Sequence, residues 1–480
     1  GRSKKNATPL LDGIEALLNP CDDLGSEEMR ERVRRHLLSQ LLCLGRHTVT
    51  GLLGTSGRLF CDWSADYRMY SDDRVDPEAL FLPVRQSLTK RLDDARPLVV
   101  AMDDTRVRKS GRKTHGVKYT RDPLGPPFHV NLIKAQRFLQ ISMACAAHNG
   151  MARMIPIDFV HAPAPQKPRR NADEQAHALY RQAQRDMALP NVGAQRLHAL
   201  RENMDAESQA DRPLWAVVDG GYTNGTLLKH LPPRTTLVGR IRSDAKLYDL
   251  PEPSASGRGR KLVYGKRAPT PEELRQDHTV PWQRVRAFAA GKMHDFKIKI
   301  LRSLRWRPAG QAHNLCLIVI APLGYRLTKH SRMIYRRPAF LICTDPDADI
   351  QQVIQAYVWR WDIEVNFRDE KTILGVGQAQ VRKPKAVENV PALAVAAYAM
   401  LLTAAATTYG PAGQPDTLPA PKWQNKEAAR ASTQTLLQHL RHEVWAQSLN
   451  FSGFMSSHAP NPKPEKVQNC LPNALFYAMA

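Results

Sequence analysis

The apolar positions of the first 96 residues recur every three to four residues, which is the spacing of amphipathic helices. In SEEMRERVRRHLLSQLLCLG, Ser26 is a candidate N-cap, acids fill the first turn and Gly45 is a stop signal. The next run, RHTVTGLLGTSGRLFCDWSADYRMYS, predicts two short helices around a Gly-Thr-Ser-Gly turn. A helix-turn-helix has this pattern, and so has any small helical bundle. We predict a helical N-terminal domain over residues 1–96, and analogy alone suggests that this domain binds DNA.

From residue 97 the apolar positions form short runs that are typical of strands. PLVVAMDDT reads as a buried strand that ends in acids, with RFLQISMACAA and ARMIPIDFVHA as its antiparallel neighbours. A polar helix is predicted over residues 171–205, and LWAVVDGGY, TTLVGRIR and PAFLICTD are further strands. Strands that mix with helices in this order predict an α/β fold, a mixed sheet flanked by helices.

The same pattern divides the rest of the chain. The α/β core is predicted in two parts, residues 97–245 and 337–410. Between them, residues 246–336 form a β-rich insertion, because KLVYGK, WQRVRAFAA, DFKIKILRSLRW and LCLIVIAPL alternate or cluster in the manner of strands. A proline-rich linker and a helical tail are predicted over residues 411–480, with one helix at about 426–449.

One long uncharged segment, VPALAVAAYAMLLTAAATTY at residues 390–409, has two interpretations. Its length is marginal for crossing a bilayer, and its alanines allow close packing against other elements. We interpret it as a buried core helix, with a membrane span as the alternative.

Charge narrows the class of partner. The 480 residues carry a formal net charge of +23, and the isoelectric point is near 9.9. The first 96 residues hold 15 Lys and Arg against 15 Asp and Glu, whereas residues 246–337 hold 20 against 6. A basic surface on a folded segment favours a polyanion, most commonly nucleic acid, and a basic membrane-surface protein is the rival interpretation.

The seven cysteines are scattered and show no CxxC or Cys/His ligand spacing. This excludes the usual patterns of a disulfide scaffold and of a zinc site, and it fits a reducing cytosol.

The segment YVWRWDIEVNFRDEK concentrates charge on one side of a predicted helix. At about 100° per residue, Tyr357, Arg360, Glu364 and Lys371 fall within a stripe of about 60°, and Arg368 joins them. Such a face is often only a solvated surface with i,i+4 ion pairs. The remaining acids of the chain favour a functional interpretation.

Two buried strands end in acids, Asp104 (or its neighbour Asp103) and Asp219. Ligands of α/β sheets bind where the strands end, although a single aspartate there is more often a turn former or a helix N-cap. With Glu364 on a helix against the same sheet, three carboxylates suit a site for two Mg²⁺ ions in phosphoryl transfer. Arg360, Arg368 and Lys371 would then hold phosphates.

These motifs resemble those of the bacterial insertion-sequence DDE transposases of the cut-and-paste type, which have a ribonuclease-H-like core. The resemblance rests on Tyr-x2-Arg-x3-Glu-x6-Lys at residues 357–371, on the following LGVGQAQVR, on DDTRVRKSGRKTHGV and on VVDGGY, and it spans roughly residues 60–405. It implies cleavage at the ends of a mobile element through a DNA hairpin, followed by joining of the ends to target DNA.

The resemblance also implies roles for residues. Asp104, Asp219 and Glu364 would bind two Mg²⁺ ions, with Mn²⁺ as a substitute, and Tyr357, Arg360 and Lys371 would hold the DNA backbone. Asp104 is preferred to Asp103 because the family acid directly precedes a hydroxylated residue, here Thr105. Successive side chains of a strand face opposite ways, so only one of the two aspartates can serve.

Weaker expectations concern the DNA surface. The basic run after the first acid is expected to grip phosphates or to be a solvated loop; its members are Arg106, Arg108, Lys109, Arg112, Lys113 and Lys118. Trp282 and Trp306 are expected either to stack on a flipped base or to pack in the core.

The expected partners are double-stranded DNA, namely terminal inverted repeats and target DNA, and a second copy of the chain in a synaptic dimer. The expected location is the bacterial cytoplasm, at the nucleoid, with no membrane partner. Two other functions stay open: a relative that binds DNA without cutting it, and a general metal nuclease.

Overall fold

The computed structural model describes residues 8–21, 24–122, 124–126, 128–253, 261–326, 329–411 and 430–445. Its N-terminal part is helical, as the apolar spacing predicts. Ser26 is the N-cap of the second helix, and its hydroxyl accepts a hydrogen bond from the Met29 backbone N–H. The helices of this part are α1 (Pro9–Leu18), α2 (Glu27–Leu42), α3 (Val49–Thr55), α4 (Ser64–Ser71) and α5 (Pro77–Thr89).

Strands dominate the next part of the described chain. They are β1 (Leu98–Arg108), β2 (Lys118–Arg121), β3 (Leu132–Ala146), β4 (Ala152–His161), β5 (Leu214–Val218), β6 (Thr235–Arg240), β7 (Leu247–Asp249), β8 (Gln283–Ala289), β9 (Lys292–Trp306), β10 (Leu315–Ile320), β11 (Gly324–Tyr325), β12 (Ile334–Tyr335) and β13 (Ala339–Cys343). β11 and β12 pair only with each other, and the others form one sheet.

The sheet is mixed, which confirms the predicted fold class. Its strand order is β2-β3-β1-β5-β6-β13-β10-β9-β7, with β4 beside β3 and β8 beside β9. β5 runs parallel to β1 and to β6, whereas β3 is antiparallel to β1 and to β4. This arrangement is consistent with a ribonuclease-H-like core.

The basic insertion is β-rich, and it continues the core sheet. β13 pairs with β6 on one side and with β10 on the other, so β10, β9 and β8 extend the same hydrogen-bonded surface. The expectation of a strand at KLVYGK was wrong, because residues 261–266 form no strand there. The strands at the other three apolar runs are confirmed.

The remaining helices cover the two faces of the sheet. They are α6 (Glu174–Asp186), α7 (Leu189–Ala206), α8 (Gly225–Lys229), α9 (Pro271–Gln276), α10 (Ile350–Arg360), α11 (Asp362–Thr372), α12 (Pro384–Tyr409) and α13 (Thr433–Trp445). The polar helical stretch predicted over residues 171–205 consists of two helices, and Pro190 lies at the start of the second. Of the linker and tail predicted over residues 411–480, only residues 411 and 430–445 are described.

The charged stripe does not lie on one continuous helix. α10 ends at Arg360 and α11 begins at Asp362, with Trp361 as a single residue between them. The two helices remain in close succession because Trp361 itself has helical backbone angles, and its carbonyl accepts a hydrogen bond from the Glu364 backbone N–H. The charged residues on the two sides of the break differ in burial, from the buried Arg360 to the half-exposed Glu364.

The apolar segment at residues 390–409 belongs to α12, which is the one described helix long and apolar enough to cross a membrane. In the structure nearly all of that segment is buried against α1, α2, α4, α5 and β4. The contact with α1 is intimate, since a Cβ placed on Gly13 would lie 2.8 Å from the Cβ of Ala404. The N-terminal helices and the sheet therefore share one hydrophobic core that is organised around α12.

Candidate functional site

The alternation of strand β1 sends its side chains to two different layers. Val99 and Ala101 pack with the α10 and α11 side, while Val100 and Met102 pack with the core that contains α12. Asp103 and Asp104 come next and continue this alternation. The two adjacent carboxylates therefore lie on opposite faces of the sheet.

Asp103 lies on the face that α10 and α11 cover. Its Oδ2 is 3.7 Å from Nη1 of Arg360, and Nη2 of the same guanidinium is 3.8 Å from Oε1 of Glu364. The Arg360 side chain is 5% exposed, whereas that of Glu364 is 51% exposed. A buried cation thus lies between two carboxylates that come from a strand and a helix.

Burial and negative neighbours raise the pKa of Asp103 to about 7. Loss of water around the carboxyl is the largest cause, followed by the charges of Asp219 and Asp104, and Arg360 offsets only part of this effect. A carboxyl placed among like charges binds a proton, or another cation, more readily than it does in water.

Asp219 directly follows β5 and reaches the same face. β5 runs parallel to β1, with Val217 beside Ala101. Two residues further along both strands, Asp219 lies beside Asp103. The Asp219 carboxylate accepts hydrogen bonds from the backbone N–H groups of Gly221 at 2.9 Å and Tyr222 at 3.3 Å. The turn at VVDGGY thereby fixes its orientation.

The structure gives the two aspartates different surroundings, and the preference for Asp104 as a metal ligand stays a prediction from the sequence. Asp104, which the sequence favoured as a metal ligand, accepts a hydrogen bond at 3.0 Å from the hydroxyl of the buried Tyr222 on the face away from Arg360. The charge of Asp104 also contributes to the pKa of Arg137, a β3 residue of the same face. Of the two, Asp103 is the one that the fold brings to Asp219, Arg360 and Glu364.

The carboxylates fit a divalent cation in chemistry, but they are not arranged as a closed cage. Asp103, Asp219 and Glu364 offer the oxygen ligands that Mg²⁺ takes. Burial, and then the charges of Asp219 and Asp104, raise the pKa of Asp103, and a bound cation would favour its ionised form. Within the described residues, no three acidic, histidine or cysteine side chains converge closely enough to hold a metal ion. Glu364, which is half-exposed, is the member free to turn.

The other residues of the stripe are spread between core and solvent. Tyr357 is buried in the hydrophobic layer, and the Arg360 guanidinium lies 5.0 Å from the Trp361 ring centroid. The Nε of Arg360 is buried and has no hydrogen-bond partner among the described residues. Arg368 pairs with Asp369 at 3.0 Å, and Lys371 is exposed near enough to Asp104 and Arg106 for their charges to affect its pKa. Arg360 and Glu364 are the members brought to Asp103.

The basic run after the first acid is not uniformly available to a ligand. The ammonium of Lys109 is buried, donates to the carbonyls of Gly377 at 2.6 Å and Ala379 at 2.8 Å, and has its pKa lowered by burial to about 8. The expectation that Lys109 grips phosphate is therefore corrected to a structural role. Exposed members of the run are Arg108, Arg112 and Lys113, with Arg106 and Lys118 half-buried.

The two tryptophans of the insertion differ in position. Trp282 is 36% exposed, and the ammonium of Lys299 lies 4.6 Å from its ring centroid. Trp306 packs against the core and lines a cavity of about 560 Å³. Gly220, which follows Asp219 in the sequence, lines the same cavity. Arg240, Arg242 and Arg337 line the same cavity. The cavity lined by this tryptophan and the three arginines is therefore also lined by the residue that follows Asp219 in the chain.

Several of these residues were missed at the level of sequence. Tyr222 lies within VVDGGY, but nothing in that motif indicates a partner 118 positions earlier. Arg240 and Arg242 alternate along TTLVGRIR, a signal of a shared face, whereas Arg337 joins them only through the pairing of β13 with β6.

Comparison with known families gives one match. The family model described as DDE superfamily endonuclease matches residues 21–307, which is more than half of the chain. The matched range includes Asp103, Asp104 and Asp219, and it ends before α10, so the Tyr-Arg-Glu-Lys signature lies outside it. Curated proteins gave no match.

Proposed function

Because the chain belongs to the DDE superfamily endonucleases, we propose that it is a transposase that cuts DNA at the ends of an insertion sequence. The observation that carries this proposal is that the buried Arg360 lies between Asp103 and Glu364, while the charge of Asp219 acts on Asp103. Carboxylates at the end of parallel strands, with a cation beside them, suit the transfer of a phosphoryl group.

The substrate that we propose is double-stranded DNA. The net charge of +23 favours a polyanion, and 20 of the basic residues lie within residues 246–337. Strands β8, β9 and β10 attach this basic segment to the sheet that carries Asp103. The basic segment and the carboxylates therefore belong to one continuous sheet, which supports their use on the same molecule of DNA.

In the proposed reaction Asp103, Asp219 and Glu364 hold Mg²⁺, or Mn²⁺ as a substitute, through carboxylate oxygens. When bound, the metal would supply the Lewis acid that stabilises the attacking and leaving oxygens. Asp219 is oriented by two backbone N–H groups, and Glu364 turns inward from its half-exposed position.

The cations beside the carboxylates orient the DNA strand. Arg360 has a buried Nε without a protein partner among the described residues, and it offers this donor to a phosphate oxygen. Lys371 adds charge at the outer end of α11. Buried Tyr357 supports this region from the hydrophobic layer. The cavity lined by Trp306 and three arginines accommodates a nucleotide next to the cut.

The finer features of the proposal come from the resemblance of the motifs. They are recognition of terminal inverted repeats, a hairpin intermediate, joining of the ends to target DNA, and a dimer that holds two ends together in the bacterial cytoplasm. The hairpin route is supported by the cavity beside Asp219, because closing a hairpin requires a nucleotide to leave the stack.

The test uses labelled duplexes that carry the candidate inverted repeats flanking the gene. The wild type and Glu364→Gln are incubated with and without Mg²⁺, and the products are resolved on denaturing gels. We expect a nick or a hairpin at the repeat boundary that requires both Mg²⁺ and Glu364. Glu388→Gln, in an exposed ion pair on α12, is the matched control and should cut as the wild type does.

Three outcomes would contradict the proposal in different ways. Cutting by Glu364→Gln would remove this carboxylate from the reaction. Binding without any cut in the wild type would favour a DNA-binding relative that has lost cleavage. Metal-dependent cutting of every duplex, without regard to the repeats, would indicate a general nuclease.

A further inference from the structure

Between strands β2 and β3, the described residues 122, 124–126 and 128–131 display large apolar side chains to solvent. We call these described residues the β2–β3 tip. Leu124 is 91% exposed, Phe128 is 93% exposed and Val130 is 79% exposed. Single apolar residues on a surface are ordinary, but three in one loop at nearly full exposure mark a site of interaction.

The tip is held in one shape by hydrogen bonds. The buried carboxylate of Asp122 accepts from Arg108 at 2.6 Å and from the Leu124 backbone N–H at 3.0 Å. The Asp122 backbone N–H donates to the carbonyl of Asn131 at 2.8 Å, and that of Gly125 donates to the Asp122 carbonyl at 3.1 Å. A folded tip that exposes its apolar residues is preorganised to contact a partner.

The charges around the tip select the partner. Residues 106–134 contain eight Lys and Arg and one acid, Asp122, which is already paired with Arg108. The cations are Arg106, Arg108, Lys109, Arg112, Lys113, Lys118, Arg121 and Lys134. Two copies of this surface would repel each other, whereas DNA would be attracted. Apolar side chains flanked by cations are the means by which proteins wedge open base-pair steps.

The position of the tip fits DNA that is already engaged at the carboxylates. In the sheet Asp103 lies beside Gln140 of β3, and Arg121 lies beside Leu132 at the other end of that strand. Eight residues at about 3.3 Å each separate Leu132 from Gln140, so the tip lies roughly 30 Å from Asp103. At about 3.4 Å per base pair, this distance corresponds to about nine base pairs of duplex.

We propose that the β2–β3 tip is a DNA wedge, in which Leu124 and Phe128 insert into a base-pair step and bend the duplex. Exposed cations, such as Arg121 at the end of β2 and Lys113 in the connection from β1 to β2, hold the phosphates on either side. The wedge rests on the proposed function only in taking DNA as its partner, since the bend requires no cleavage.

The test measures bending and binding on one probe. A 30-base-pair duplex of mixed sequence carries a donor and an acceptor dye at its two ends, so a bend raises energy transfer, and anisotropy reports binding. We expect the wild type to raise energy transfer. The double variant Leu124→Ser, Phe128→Ser should lose this rise, while affinity at low salt falls by less than about tenfold because phosphate contacts remain.

The matched control is Leu179→Ser on α6, where the leucine is 65% exposed and far from any proposed contact. It should bend the probe as the wild type does. All substituted side chains are exposed, so the variants should melt at the wild-type temperature, which circular dichroism checks.

Several results would overturn the wedge. They are a wild type that binds the probe without raising energy transfer, or a double variant that bends it normally. A shift from dimer to monomer in sedimentation, with bending retained, would assign the tip to a second copy. Loss of binding to phosphatidylserine vesicles alone would assign it to a membrane.

Nicking, with Mg²⁺, of a supercoiled plasmid that carries the candidate inverted repeats separates the wedge from the proposed function. If the wild type bends the probe but does not nick the plasmid, the proposed transposase function is contradicted and the wedge proposal is retained. A wild type that nicks without bending sinks the wedge alone. A protein that neither binds nor nicks DNA contradicts both.

Discussion

The two faces of strand β1 place the same chemical group in opposite environments. Asp103 faces α10 and α11, where burial and the charges of Asp219 and Asp104 raise its pKa and Arg360 at 3.7 Å offsets part of the effect. Asp104, the next residue, faces Tyr222 and accepts its hydroxyl at 3.0 Å. The environment of Asp103 favours binding of a cation, whereas Asp104 has a neutral hydrogen-bond donor as its partner.

This difference separates a group suited to reaction from one suited to structure. A carboxylate that repels its neighbours lowers the stability of the native state, and such strained sites are common where function requires them. A carboxylate with a buried donor contributes to stability instead. Adjacent residues of one strand can therefore be assigned different roles by asking which layer each one meets.

The largest expected effect tests that assignment by activity. Asp103→Asn should lower Mg²⁺-dependent cleavage of the labelled duplex by about a thousandfold or more, since a lost ligand costs several kcal/mol of transition-state stabilisation. Asp104→Asn should stay within about tenfold of the wild type, because the new amide oxygen still accepts the Tyr222 hydroxyl. Rates are measured in single turnover. If the two variants exchange these values, the faces have been assigned the wrong way round.

The next effect concerns stability and pH. The pKa of Asp103 is about 7 in the folded protein, above the value of about 3.9 for an unfolded Asp. The folded state therefore holds this proton more tightly, and stability should fall as the pH rises from about 4 to about 7 and then level off. Asp103→Asn lacks this loss, so in EDTA at pH 8 it should be more stable than the wild type by about 1–3 kcal/mol.

Thermal melting in EDTA at pH 4.5 and pH 8 measures this difference. The advantage of Asp103→Asn should be small at pH 4.5 and full at pH 8, and Asp104→Asn is the control that should show no such gain. Added Mg²⁺ should stabilise the wild type more than Asp103→Asn. An equal gain at both pH values would mean that the benefit is unrelated to the charge of Asp103.

The smallest effect belongs to the other face. Tyr222→Phe removes the hydroxyl that Asp104 accepts, so it should lower stability by about 1–2 kcal/mol and leave cleavage within about threefold. Denaturant melts and single-turnover rates measure the two quantities. A fall in cleavage of a hundredfold or more, with the fold intact, would place Asp104 in the reaction after all.

Much of the fold could be predicted from local pattern. β1, β5 and the acids that follow them were visible because a buried strand is a short apolar run and its end is polar. α12 was identified as a core helix because its apolar residues occupy every side. These features depend on neighbours in sequence, and local pattern records them.

What escaped prediction depends on contacts between distant segments. The environments of Asp103 and Asp104 depend on which helices cover each face of β1. Thr105, the residue that follows the pair, does not indicate which helices these are. The break at Trp361 has no glycine or proline to announce it. By contrast, the start of α7 has a local signal in the sequence, because Pro190 lies in the first turn of that helix.

The bond between Lys109 and Gly377 also bears on when the site comes into being. The carbonyl that holds this ammonium lies 268 residues later in the chain, just after α11. At about 5–20 residues per second, a ribosome needs roughly 15–50 seconds to make that span. During this time the aspartates of β1 have emerged without their glutamate. The three carboxylates of the proposed site can therefore come together only after α11 has been synthesised.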